Sequence, residues 1–181
     1  MKGPYGGVLI SAVALDANSG LFPLAIMVAE GENKDSWNFF LYLLYSHIGE
    51  NRSRPISFMT DRQKGVLDGI MKEFHNSFNR YCVRHMYNNF KGKFPRIKLR
   101  NCFWEAARAT YSNDFKKAMH EMSLINKEAV QWVEKTPPAH WSRHRFDDSC
   151  KSEHVNNNLT ESFNSWLEST IRRLFLCYLR T

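Results

Sequence analysis

The sequence predicts a mixed α/β sheet domain carrying a helical insertion, with its strands in the first half and its helices in the second. Runs rich in Val, Ile and Leu, separated by turn formers, mark strands over residues 7–29 and again just after Arg54. From Leu99 to Lys135 the apolar residues recur at helical spacing almost throughout, and no segment repeats.

In chain order, GVLISAVAL, the turn-forming DANSG and LFPLAIMVAE read as two strands around a turn. Asp16 could be a carboxylate at a strand end, but turn chemistry accounts for it without function. A helix follows, with Trp37, Phe40, Leu41, Leu44, Tyr45 and Ile48 on one face and Asp35 or Ser36 as its cap. After the loop GENRSRP, the β-prone PISFMT ends at Asp61. The basic turn Arg62-Gln63-Lys64-Gly65 then leads into a helix with Val66, Leu67, Ile70, Met71 and Phe74 on one face. Asp61 thus falls at the carboxyl end of a strand, where open α/β sheets place their sites. A short strand is expected over 79–83, and helices near 102–110, 113–124 and 127–135. Thr136-Pro137-Pro138 stops the last of these. Residues 139–156 look irregular, with a half-buried or exposed Trp141, and a final amphipathic helix starts near Asn158. Trp37, Trp104, Trp132 and Trp166 lie at core spacing.

With 43% hydrophobic and 24% charged residues in 181, the chain can bury a core and is not a disordered polar segment. No apolar run approaches the length of a membrane span, and MKGPYGGVLI lacks the blocks of a signal peptide, so a cytosolic or nuclear address is expected. Four scattered cysteines without a CxxC pair read as reduced thiols.

Charge is uneven. The net charge is +7, yet residues 1–50 hold Lys2 and Lys34 against Asp16, Glu30, Glu32, Asp35 and Glu50. No acid occurs between Glu73 and Glu105, where Arg80, Arg84, Lys91, Lys93, Arg96, Lys98 and Arg100 alternate with Tyr81, Tyr87, Phe90 and Phe94. Cations for counterion release and ring faces for bases suit a nucleic acid. A solvated basic surface has the same pattern.

Asp61 and Glu161 are the best carboxylate candidates for two-metal phosphoryl chemistry, which needs several carboxylates converging on two ions. Asn158 as N-cap with Glu161 at N3 also makes a capping-box arrangement that requires no catalysis. Cys82 and His85 form a CxxH pair that can share a zinc ion, with Cys102, Cys150, His140, His144 or His154 to complete the site. A buried Cys with a hydrogen-bonded His, or a nucleophilic Cys82 with a remote His, fits the same two residues.

Taken together, KGPYGG (2–7), DANSGLFPLA (16–25), EGENKDSW (30–37), TDRQKG (60–65), RYCVRH (80–85), HWSRH (140–144) and residues 157–166 resemble the plant Mutator-like element (MULE) transposase domain, in order and spacing over nearly the whole chain. The resemblance implies a ribonuclease H-like mixed sheet spanning 1–181, with a helical insertion, roughly 86–155, between the second Asp and the Glu of a DDE set. By the same resemblance Asp61 is the second Asp, Glu161 the Glu, and Cys82 with His85 the family's CxxH motif, a zinc or structural pair. Asp61 and Glu161 would hold Mg²⁺ or Mn²⁺. The first Asp would lie upstream of Met1, and Asp16 matches a turn residue. The family's N-terminal DNA-binding region and C-terminal zinc segment have no counterpart here, so the resemblance describes an N-terminally truncated segment or degenerate copy. Expected partners are DNA and further copies of the chain as a homo-oligomer, with no membrane and a nuclear address. The implied function is metal-dependent DNA cleavage and strand transfer in the parent enzyme, with this chain itself inactive. The alternative is a domesticated, non-catalytic DNA-binding or transcription-regulatory protein.

Overall fold

The computed structural model describes residues 7–15, 18, 20–49, 54–147 and 154–178. It is mixed α/β, with four strands in two small sheets and seven α-helices among the described residues. The chain divides into two compact units. One comprises Met1–Arg52, Lys64–Glu73 and Asn158–Thr181; the other comprises Ser53–Gln63 and Phe74–Asn157. Among the described residues, no helix is long and apolar enough to cross a membrane.

In the first unit, β1 (Val8–Leu15) and β2 (Leu21–Ala29) form the antiparallel hairpin the apolar runs predict. The register shifts between Ala12 and Val13 on β1, opposite Leu24 on β2. Pro23, beside that bulge, lacks the N–H a regular central strand would need. Gly7, the last residue of KGPYGG, sits at φ 101°, and a Cβ there would meet the Ala29 carbonyl oxygen at 3.0 Å. Only glycine fits that entry to β1. The turn residue Asp16 lies outside the described residues.

Helix α1 (Lys34–Ile48) buries Phe40, Leu41 and Leu44, as its periodicity predicts. Its cap is Asn33 rather than Asp35 or Ser36. The Asn33 side chain accepts from the Ser36 N–H at 2.9 Å, and the Ser36 hydroxyl donates to the Gly31 carbonyl at 2.9 Å. The EGENKDSW segment therefore has a local structural task, which is to start this helix. Helix α2 (Lys64–Glu73) packs on α1 with Val66 and Ile70 buried. A Cβ on Gly69 would lie 2.6 Å from Leu41 Cδ1, so glycine sets the closeness of this crossing. Helix α7 (Asn158–Tyr178) packs on β1, where Ser11 Oγ donates to Asn164 Oδ1 at 2.5 Å. Trp166 of this helix is 61% exposed, which corrects its assignment to the core.

The second unit starts from β3 (Ser57–Thr60) and β4 (Phe78–Tyr81), which pair in parallel from Ser57↔Phe78 to Thr60↔Tyr81. Helices α3 (Val83–Lys93), α4 (Ile97–Arg108), α5 (Ser112–Ile125) and α6 (Lys127–Glu134) follow. The last three match the predicted segments within a few residues, α4 starting earlier. Helix α3 was not anticipated. Asn88, Asn89 and Gly92 are poor helix formers, and the buried stripe Val83, Met86, Phe90 overrides them. Residues 138–145 hold two single 3₁₀ turns, Pro138–His140 and Arg143–Arg145, so this stretch is irregular as expected.

The core of this unit is aromatic. Phe90 and Phe103 are fully buried with ring centroids 4.9 Å apart, and Phe103 stacks on Trp141 at 5.6 Å. Trp141 is only 1% exposed, and its indole N–H donates to the Thr136 carbonyl at 3.1 Å. It is a core residue, neither half-buried nor exposed. Trp104 and Trp132 pack against this core, in keeping with their spacing.

Candidate nucleic-acid interface and metal ligands

Asp61 lies immediately after β3, at the end of the sheet where both parallel strands have their carboxyl termini. This is the placement the sequence predicts. Its Oδ1 accepts from the Gln63 N–H at 3.2 Å, closing a tight turn on the side chain itself. Arg62 between them is left-handed, φ 75°, a conformation that costs an L-residue about 1–2 kcal/mol. Strain of this kind persists where the surroundings over-determine it, and it concentrates at functional sites. The turn leaves the second Asp61 oxygen outside the hydrogen bond, so a half-exposed hard donor stands at the strand end.

Glu161 is exposed in the first turn of α7 and belongs to the first unit, whereas Asp61 belongs to the second. Helix α7 begins at Asn158 itself, one residue before the capping-box register, with Asn158 as N-cap, would start it.

Cys82 is fully buried at the N-cap position of α3. Its sulfur accepts from the Asn157 N–H at 3.4 Å, and the Val83 N–H donates to the Val155 carbonyl at 2.8 Å. The CxxH segment therefore anchors the strand of chain that leads into α7. A ring nitrogen of His85 comes within 4.8 Å of the Cys82 sulfur, one helical turn away. The sulfur and nitrogen donors suit zinc, but they are two where zinc takes four. Among the described residues, Cys102, His140, His144 and His154 do not join them in a group of three that could hold an ion. Cys150 lies outside the described residues.

Cys102, His140 and His144 are each accounted for otherwise. Burial raises the pKa of the Cys102 thiol, with Glu105 and Glu121 adding to the effect, which keeps it from the thiolate that binds metal. The Ser142 hydroxyl gives its proton to the Ala106 carbonyl at 2.6 Å, so it accepts from His144 Nδ1 at 2.8 Å. Burial first, then Arg145, lowers the His144 pKa and favours the neutral ring, which stacks on Phe115 at 4.4 Å. His140 Nδ1 donates to the Asn79 carbonyl at 2.6 Å.

The basic block divides. Arg84, Lys91, Lys93, Arg96, Lys98 and Arg100 are exposed along α3, the turn after it and α4. Arg80 is not with them. It is 3% exposed, paired with Asp147 Oδ2 at 3.2 Å, and its guanidinium lies 4.1 Å from the centre of the Phe146 ring. The interleaved aromatics are not free ring faces either. Phe90 is fully buried, and Tyr87 and Phe94 pack against the same core. What remains is a cationic surface laid over an aromatic core. It can neutralise phosphates, but Tyr87, Phe90 and Phe94 give it no stacking platform.

Sequence reading missed Arg62 as a residue of interest, although its place directly after Asp61 in TDRQKG was the available signal. No curated protein matches the chain. Residues 2–89, just under half of the chain, are similar to the family model of the MULE transposase domain, a stretch that includes both sheets, Asp61 and the Cys82–His85 pair.

Proposed function

We propose that this chain is a segment of a plant MULE-type DDE transposase core, which in the parent enzyme cleaves DNA and transfers strands in the nucleus. The observation that carries the reading is Asp61. It stands at the carboxyl end of a parallel strand, in a strained turn, inside the stretch matched by the transposase domain. The element order β-β-α-β-α-β up to Tyr81 supports a ribonuclease H-like sheet, and α3–α6 support a helical insertion over roughly 86–155.

Asp61 and Glu161 are oxygen donors of the kind Mg²⁺ and Mn²⁺ prefer, and these two would hold the ions. Bound divalent ions supply activation of a water or 3′-hydroxyl and stabilisation of the leaving oxygen. The residues of this chain do the rest. Arg84, Lys91, Lys93, Arg96, Lys98 and Arg100 seat DNA phosphates, and the Gln63 N–H orients the Asp61 carboxylate. Cys82, which with Val83 ties α3 to segment 155–157, would with His85 give two ligands to a zinc ion or serve structure alone.

Two carboxylates are one short of the DDE set, so this chain is expected to bind DNA without cutting it. A donor-cleavage and strand-transfer assay in Mg²⁺ or Mn²⁺ tests this against a version that carries the family's first strand and Asp ahead of Met1. Activity in the extended version, lost with Asp61→Ala or Glu161→Ala, is the expected result. An extended version that binds DNA yet never cuts would favour the domesticated DNA-binding reading. Cleavage by the present chain would show that another carboxylate completes the site.

The cationic surface has its own test. Reversing Arg96, Lys98 and Arg100 together to Glu is expected to weaken binding to duplex DNA and to flatten the log K against log[salt] line by up to about 3, since each phosphate contact contributes about 0.9. Fluorescence anisotropy across a salt series reads both. Unchanged affinity would make the patch a merely solvated surface.

A further inference from the structure

One cation of the second unit belongs neither to the basic block nor to the carboxylate assignment, and it is built into the turn that carries Asp61. We propose that Arg62 is a DNA-phosphate contact, held ready by a platform of Tyr81 and His140 at the carboxyl ends of β3 and β4. The inference rests on the DNA reading above and names a residue outside the 80–100 block.

The platform is assembled from β4 and the first 3₁₀ turn. The Arg62 guanidinium carbon lies 4.9 Å from the Tyr81 ring centre. The Tyr81 ring stacks on His140, with centroids 4.7 Å apart and planes at 18°. The carbonyl of Asn79 can only accept, so His140 Nδ1 carries the proton of the 2.6 Å bond to it, and this bond fixes the imidazole against β4. Thr60 and Tyr81 are register partners, and the Cys82 N–H donates to the Thr60 carbonyl at 2.7 Å. The end of β4 is thereby locked beside the start of the Asp61 turn. The left-handed φ of 75° at Arg62 accompanies the return of its side chain to the Tyr81 ring.

The guanidinium itself makes no hydrogen bond or ion pair to protein among the described residues. The Arg62 backbone N–H reaches Thr60 Oγ1 at 3.5 Å, and the neighbouring Asp61 carboxylate is engaged by Gln63. Arg80, on β4, is the contrast: it is buried and its guanidinium is paired with Asp147 Oδ2 at 3.2 Å. An exposed guanidinium laid on a ring keeps its N–H edge for a planar or tetrahedral oxyanion, and its stacking reduces the freedom lost when that anion binds. Arg62 thus offers a phosphate a charged, oriented fork next in sequence to Asp61, the carboxylate to which the proposed function gives the divalent ions.

The test measures binding of the whole chain to a labelled random-sequence duplex by anisotropy across a salt series. Arg62→Gln is expected to weaken binding roughly fivefold and to lower the salt slope by about 0.9, one phosphate's share. Tyr81→Leu is expected to weaken binding with the slope unchanged, because the charge count stays the same and only the orientation is lost. Tyr81→Phe keeps the ring and is expected to bind as the parent does, which separates the platform from a general loss of folding. Wild-type slope and affinity in Arg62→Gln, while the Arg96/Lys98/Arg100 reversal still weakens binding, would overturn the proposal and leave the DNA reading standing. A Tyr81→Leu slope lowered as far as that of Arg62→Gln would overturn the platform. A parent chain that binds no duplex at all would overturn the DNA reading and this inference with it.

Discussion

Asp147→Ala is expected to destabilise the second unit by about 3–5 kcal/mol, read as a lower urea midpoint for the chain, because it strands a buried charge. The Arg80 side chain is 4% exposed and that of Asp147 11%, so water cannot take over from the lost carboxylate. The same Asp147 oxygen also accepts from the Ser57 hydroxyl at 2.8 Å, which ties the start of β3 to the pair. The guanidinium lies over Phe146, and that ring contact survives the substitution without replacing the carboxylate. Removing both charges is a different experiment. Arg80→Met with Asp147→Leu is expected to recover most of the loss, since well-packed apolar replacements of buried ion pairs are often neutral or better. If Asp147→Ala unfolds at the parent midpoint, Arg80 is finding water or another acceptor and the pair is not a structural anchor.

Trp141→Ala is expected to cost a similar amount, about 3–5 kcal/mol, by opening a cavity in the aromatic core. Trp141 stacks on Phe103 and contacts Phe115 at 5.8 Å, and its N–H satisfies the Thr136 carbonyl where the Pro137-Pro138 segment ends helix α6. Trp141→Phe keeps much of the packing and loses only the donor, so about 1–3 kcal/mol is expected for the unsatisfied carbonyl. The control is Trp166→Ala at an exposed position of α7, expected within about 0.5 kcal/mol of the parent. Chemical denaturation of the three variants orders them. A Trp166 effect as large as that of Trp141 would contradict the burial assigned to each. Because α3 and α4 carry the exposed cations on the same core, loss of Trp141 should also reduce DNA binding near the unfolding midpoint.

The periodic elements were legible because their signals are local. The hairpin of residues 8–29 shows in its apolar runs and turn formers, and α1, α5 and α6 show in apolar spacing that any window of a dozen residues contains. Asp61 at a strand end was legible for the same reason: the β-prone run, the acid and the basic turn adjoin one another. The cap of α1 was missed by two residues, because Asn33, Asp35 and Ser36 are all competent caps and only the hydrogen bond selects among them.

What failed to show was the use of a residue whose partner is distant. Arg80 reads as a member of a basic block until Asp147, sixty-seven positions away, pairs with it. Phe90 and Phe94 read as ring faces for a nucleic acid until α4 and α6 cover α3 and make them core. Trp141 and Trp166 are the same residue type in unremarkable local contexts, one 1% and the other 61% exposed. The sequence by itself therefore determined the order and kind of most elements, α3 excepted, the position of Asp61, the uneven charge and the resemblance to the MULE transposase domain. Only the tertiary structure decided which arginine is spent inside and which, Arg62, is held at the surface beside Asp61. The reason is physical: helix and strand formation depend on neighbours in sequence, whereas desolvation and charge pairing depend on neighbours in space.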